Sequence, residues 1–207
     1  VLRPRKDSTG KERWMLENPG PNVNTEFWES TPAIAPDGTL YFASNRPGSV
    51  GGPKKNFDMQ RDIPRSGRQE ESNKVEYDID IWYCPYDWET GSWKPAINAG
   101  TVINTSGTEM APFINTDGTM LFFSSNGHKP SKGGLDFYVS AIAPDGSLGK
   151  PQNLGEPLNS PKDELGFFIT YDNTEIYFSS MKQDGKHSKI YRTTFPTPVA
   201  NDGSKEK

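Results

Sequence analysis

The stretch Pro36-Asp37-Gly38-Thr39-Leu40-Tyr41-Phe42-Ala43-Ser44-Asn45 decides how this chain is read, because it returns twice. Its first echo runs from Asp117-Gly118 to Leu121-Phe122-Phe123-Ser124-Ser125-Asn126, and its second from Asp172-Asn173 to Ile176-Tyr177-Phe178-Ser179-Ser180-Met181. The lead-ins match as well: Asn24-Thr25, Glu29 and Pro32, then Asn104-Thr105, Glu109 and Pro112, then Asn159-Ser160 and Glu164. At Gly38 and Gly118 the Asp-Gly pair reads as a tight hairpin turn, since Gly takes positive φ and Asp bonds its own backbone. Leu40-Tyr41-Phe42 and Leu121-Phe122-Phe123 lack clean polar alternation, which suits strands covered on both faces.

A second short strand follows each aromatic one: Asp80-Ile81-Trp82-Tyr83, Asp136-Phe137-Tyr138-Val139 and Lys189-Ile190-Tyr191-Arg192. The recurring glutamates are 80 and 55 residues apart, and a single insertion after Arg46 accounts for the difference. A fourth strand is expected at Ser92-Trp93-Lys94-Pro95, with a counterpart near Gly149-Lys150-Pro151-Gln152 and an earlier copy at Arg13-Trp14-Met15-Leu16. Four short antiparallel strands per unit is the signature of a β-propeller blade. The expected fold is therefore all-β, with about three β-propeller-type blades and almost no helix. Closed rings typically need four to eight blades, so the chain is expected to be part of a larger propeller. Association of chains or an open arrangement is the alternative. The chain opens on a last-strand copy and ends without one, the permutation by which many propellers close. The expected organisation is an N-terminal linker at 1–12, blades over 13–195 with an insertion at 46–77, and a tail at 196–207.

The composition narrows the function classes. A net charge of -4, with no basic stripe interleaved with aromatics, gives no electrostatic reason to bind nucleic acid. No apolar run approaches the roughly 20 residues of a membrane span. One cysteine, Cys84, excludes an internal disulfide framework and a multi-cysteine metal site. Phosphate loops, dinucleotide fingerprints and nucleophile elbows are missing from the appropriate contexts. No cofactor or metal is expected.

The segment Pro36 through Arg46, its echo from Asp117 to Gly127, and Gly133-Gly134-Leu135-Asp136-Phe137-Tyr138-Val139 resemble the WD40-like PD40 propeller repeat of the TolB family. The same repeat occurs in outer-membrane-associated proteins that carry OmpA-like domains. The resemblance spans roughly residues 14 to 195 and implies fold more than function. Repeat three departs from it, with Asn173 in place of the usual Gly and His187-Ser188-Lys189 in place of Gly-Gly-x-Asp. It implies a periplasmic or outer-membrane-associated protein of a Gram-negative bacterium that contacts other envelope proteins, in secretion or gliding machinery, near peptidoglycan or other glycan.

The candidate residues weigh against catalysis. Glu29, Glu109 and Glu164 recur once per repeat, which argues for one structural task per blade rather than an acid/base pair. Asp80 and Asp136, each immediately before an aromatic strand, invite the same reading. His128 and His187 are read as solvent-facing loop residues, and Cys84 as a buried thiol. The insertion, with Lys54, Lys55, Phe57, Met59, Arg61 and Arg65, mixes charge with a few apolar anchors and is the expected contact for a protein partner. The expected function is a non-enzymatic scaffold. A glycan-binding or carbohydrate-active propeller using Trp82, Trp88 and Trp93 is the alternative; exposure of Trp88 and Trp93 beside paired acids would favour it.

Overall fold

A computed structural model describes residues 5–13, 17–54, 76–181 and 187–194, and all of their regular structure is β. A two-stranded ribbon opens the chain, β1 (Arg5–Lys6) against β2 (Glu12–Arg13). The first large sheet contains β3 (Glu29–Ile34) and β4 (Leu40–Ser44). The insertion starts as a second ribbon, β5 (Pro53–Lys54) on β6 (Glu76–Tyr77), which places Lys54 in its stem. Lys55, Phe57, Met59, Arg61 and Arg65 lie outside the described residues. The sheet resumes with β7 (Asp80–Cys84), is interrupted by a hairpin of β8 (Tyr86–Asp87) and β9 (Ser92–Trp93), and ends with β10 (Ile97–Asn98).

The first sheet thus has the order β10-β7-β4-β3. The second repeats the plan with β11 (Glu109–Ile114), β12 (Met120–Ser125), β13 (Asp136–Ala141) and β14 (Gln152–Asn153). The third holds β15 (Glu164–Ile169), β16 (Glu175–Met181) and β17 (Ser188–Thr194). The register repeats too: Ser44 faces Asp80, Ser125 faces Asp136 and Ser180 faces Lys189.

The structure corrects the position of the fourth strand. Ser92-Trp93 folds back on Tyr86-Asp87, with the Tyr86 and Trp93 rings 5.3 Å apart, and the sheet's edge is Ile97–Asn98 instead. The bulky tryptophan packs on its own hairpin, while the asparagine supplies the bonds that hold the edge. In the second sheet the edge strand, Gln152–Asn153, begins at the last residue of the expected stretch. Residues 14–16 of the earlier copy lie outside the described residues. No strand joins the first sheet to the third among the described residues.

The sheets pack face on face. Tyr41 and Ile81 of the first meet Leu121 and Phe123 of the second around Ile103. Phe122 and Phe137 of the second meet Ile176 and Phe178 of the third around Leu158 and Phe167, and the Phe122 and Phe167 rings stack at 4.6 Å. Every residue of Leu40–Ser44 is buried, because the second sheet covers one face and Val23 with Trp93 of the hairpin covers the other, whereas β16, which packs on the second sheet through Ile176 and Phe178, alternates at its start. A bulge in each first strand puts Thr31, Ala111 and Gly166 at φ 49, 52 and 67. These three strands line one cleft of about 320 Å³.

Candidate functional site

The recurring polar residues assemble into one cluster per sheet. A strand that begins with Glu turns its carboxylate back onto the preceding loop. Glu109 accepts the Thr105 N–H at 2.8 Å, the Thr105 hydroxyl at 2.7 Å and the Ser125 hydroxyl at 2.6 Å. Glu29 accepts the equivalent set from Thr25 and Ser44, and Glu164 from Ser160 and Ser180. Burial pushes the Glu109 and Glu164 carboxyls above the usual range, against the hydrogen bonds that lower them.

A nitrogen-bearing side chain stands beside two of these clusters. Arg46 lies over the Phe42 and Trp82 rings, 4.9 and 5.4 Å from their centroids, and donates to Glu29 Oε1 and to the Val23 carbonyl. His128 occupies the matching place in the second sheet. It is half-buried against the Phe123 and Tyr138 rings, and its Nε2 donates to the Ile103 carbonyl at 2.7 Å. This corrects the solvent-facing reading of His128. The ring is drawn in because it packs beside the stacked Phe123 and Tyr138 rings while one nitrogen finds a buried acceptor. His187 is exposed. In the third sheet, Phe178 and Tyr191 stack at 5.7 Å beside Glu164 and line an open cleft of about 1020 Å³.

A latch of asparagines ties each edge strand to the next repeat, and the sequence reading missed it. Asn104 Oδ1 accepts the Ile81 N–H, and its Nδ2 donates to the Ile81 carbonyl and to Asn98 Oδ1. Asn98 Nδ2 in turn donates to Asp80 Oδ2. Asn159, Phe137, Asn153 and Asp136 repeat the pattern. The signal was present as Asn-x-Gly-x-x-x-Asn at 18–24, 98–104 and 153–159. Asp80 and Asp136 are fully buried, and Asp80 is pushed up to about 6 by burial, with Glu109 and Asp78 adding to the shift.

The remaining candidates are spread apart. Gly38 and Gly118 stand in their turns at φ 89 and 75, and Asn173 takes the same left-handed conformation at φ 55. Trp82 is buried, Trp93 is half-buried, and Trp88 is 73% exposed with Nε1 donating to the Asp37 carbonyl. The acid beside them, Asp87, is occupied by the Glu89 and Thr90 N–H groups of its own turn. Cys84 is buried, and burial pushes its thiol up to about 11. Among the described residues, no group of three or more His, Cys, Asp and Glu is placed to hold a metal ion, and no helix is long and apolar enough to cross a membrane.

No family model matches the chain, and no curated protein matches it.

Proposed function

We propose that the three sheets are consecutive blades of a WD40-like PD40 propeller, and that the chain is a non-enzymatic scaffold in a bacterial envelope assembly. The observation that carries this reading is the use made of the repeated acids. Glu29, Glu109 and Glu164 each hold their own turn, and Asp80 and Asp136 hold edge strands, so the recurrent polar chemistry is spent on rigidity. A rigid set of packed sheets with a long charged excursion presents partner surface without moving. The excursion leaves from the ribbon at Pro53–Lys54 and returns at Glu76–Tyr77.

The test replaces residues 55–75 with a short Gly-Ser linker and installs photo-crosslinkers at Lys54 and at Trp88 in cells. The expected result is an unchanged melting temperature, with loss of discrete crosslinks to envelope proteins from Lys54. One observation favours the glycan reading: Trp88 stands exposed against Tyr86, with ring centroids 4.8 Å apart. Co-sedimentation with peptidoglycan sacculi that Trp88→Ala abolishes, with no loop-dependent crosslinks, would overturn the scaffold in its favour.

A further inference from the structure

The latch has three copies in sequence but closes only two edges. Asn98 and Asn104 secure β7, and Asn153 and Asn159 secure β13. The third copy, Asn18 to Asn24, is already shaped: Asn18 Oδ1 accepts the Gly20 N–H at 2.9 Å and the Asn24 amide at 3.0 Å. Glu17 and Asn18 nevertheless lie in no sheet. Conversely, β17 ends the third sheet with no strand beyond it among the described residues, and Ile190 is 79% exposed where Ile81 and Phe137 are fully buried.

We propose that a second copy of this chain lays its Glu17–Thr25 segment on the open edge of β17. The register follows from the two completed edges. Trp82 faces Asn98 and Tyr138 faces Asn153, so Tyr191 takes Asn18 of the second copy. Tyr83 faces Ile97 and Val139 faces Gln152, so Arg192 takes Glu17, an opposite-charge cross-strand pair. The second copy's Asn24 then brackets the N–H and C=O of Ile190, as Asn104 brackets Ile81. The donor is a second copy because, within one chain, this segment is held on the first sheet. Val23 packs with Leu40, Phe42 and Trp82 there, and Asn22 and Val23 carbonyls accept from Cys84 and Arg46. The second sheet stands between it and β17. Applied reciprocally, the contact closes about a two-fold axis, and the large sheets described in the two copies together number six, within the range of closed propellers. One latch bond has no counterpart, since Lys189 stands where Asp80 and Asp136 do, so the dimer is expected to be dependent on concentration. None of this depends on the envelope reading.

The test is oxidative crosslinking of the full chain carrying both Glu17→Cys and Arg192→Cys, with each single variant as control. Cross-strand neighbours lie at the Cα separation that a disulfide spans. The expected product is a covalent dimer of twice the chain mass. A chain of monomer mass with both new thiols consumed would overturn the proposal in favour of self-closure, and thiols left free would overturn it outright. Sedimentation gives the independent readout. Asn24→Ala, and Ile190→Pro at the outward edge position, are each expected to weaken dimerisation about tenfold or more. For Asn24→Ala the monomer melt should hardly change, because Asn24 is exposed. Dimerisation unaffected by either variant would also overturn the proposal.

Discussion

Asp80 shows how one side chain couples burial to a hydrogen-bonding task. Its Oδ2 accepts the Val50 N–H and the Asn98 amide, while Oδ1 has no hydrogen bond. Desolvation raises the carboxyl from 3.8 to about 6, so the native state holds this proton more tightly than the unfolded chain does. The resulting stabilisation is fully present below the unfolded value and is lost as pH rises through about 6, with a size on the order of 2 kcal/mol. Asp80→Asn keeps an acceptor at Oδ1 and removes the charge. Its stability relative to the parent is expected to be highest at pH 7 to 8 and to fall towards pH 5, as followed by urea melts. A difference that stays flat with pH would show that the Asp80 carboxyl does not titrate in this window. Glu109 and Glu164, raised by the same cause, act with the same sign.

At the scale of the element, the first strands share a bulge that asks for a left-handed residue. Gly166 meets that demand without strain, while Thr31 and Ala111 adopt φ 49 and 52 with a Cβ in place. Ala111→Gly is expected to be neutral to stabilising, by up to about 1 kcal/mol after the entropy of the unfolded glycine is counted. Gly166→Ala is expected to cost about 1 kcal/mol, although the nearest atom to its new Cβ is Ser179 Oγ at 3.6 Å, an ordinary contact. Thermal denaturation of the two variants checks both signs. A Gly166→Ala protein as stable as the parent would place the cost of the bulge elsewhere. The tight turns obey the same rule, and Asn173 fits the site of Gly38 and Gly118 because asparagine tolerates this region better than other side chains.

At the scale of the whole molecule, no helix layer supports the two inter-sheet cores among the described residues, and they carry the cooperativity themselves. Phe122 is the centre of one, stacked on Phe167 and buried with Phe137 and Phe178. Phe122→Ala is expected to cost about 3–5 kcal/mol. If the sheets unfold as one unit, far-UV circular dichroism and aromatic fluorescence should lose signal together, at a lower midpoint than in the parent. Of the five tryptophans, Trp28 immediately precedes β3 and Trp82, Trp88 and Trp93 sit in the first sheet or its hairpin, so fluorescence is weighted towards that end of the molecule. A variant whose fluorescence transition stays in place while the dichroism splits would mean that each sheet pair melts by itself, as in repeat proteins.

The sequence by itself determined the all-β class, the threefold repetition of Glu, turn and aromatic strand, and the single long excursion after Arg46. Those features are local: a turn dipeptide, a run of β-formers and a spacing are all written in neighbouring residues. The edge strands were legible only in retrospect. Trp93 outweighed Asn98 in the reading because hydrophobic bulk is the louder signal, yet a hairpin partner seven residues away, Tyr86, claimed the ring. The pairing of Asn104 with Ile81, the seating of His128 against Phe123 and Tyr138, and the stacking of Arg46 over Trp82 join residues from separate elements. Tertiary structure alone decided them, because whether a polar side chain is exposed or buried with a partner depends on which sheet arrives against it, and packing sets that across distances that no local pattern records.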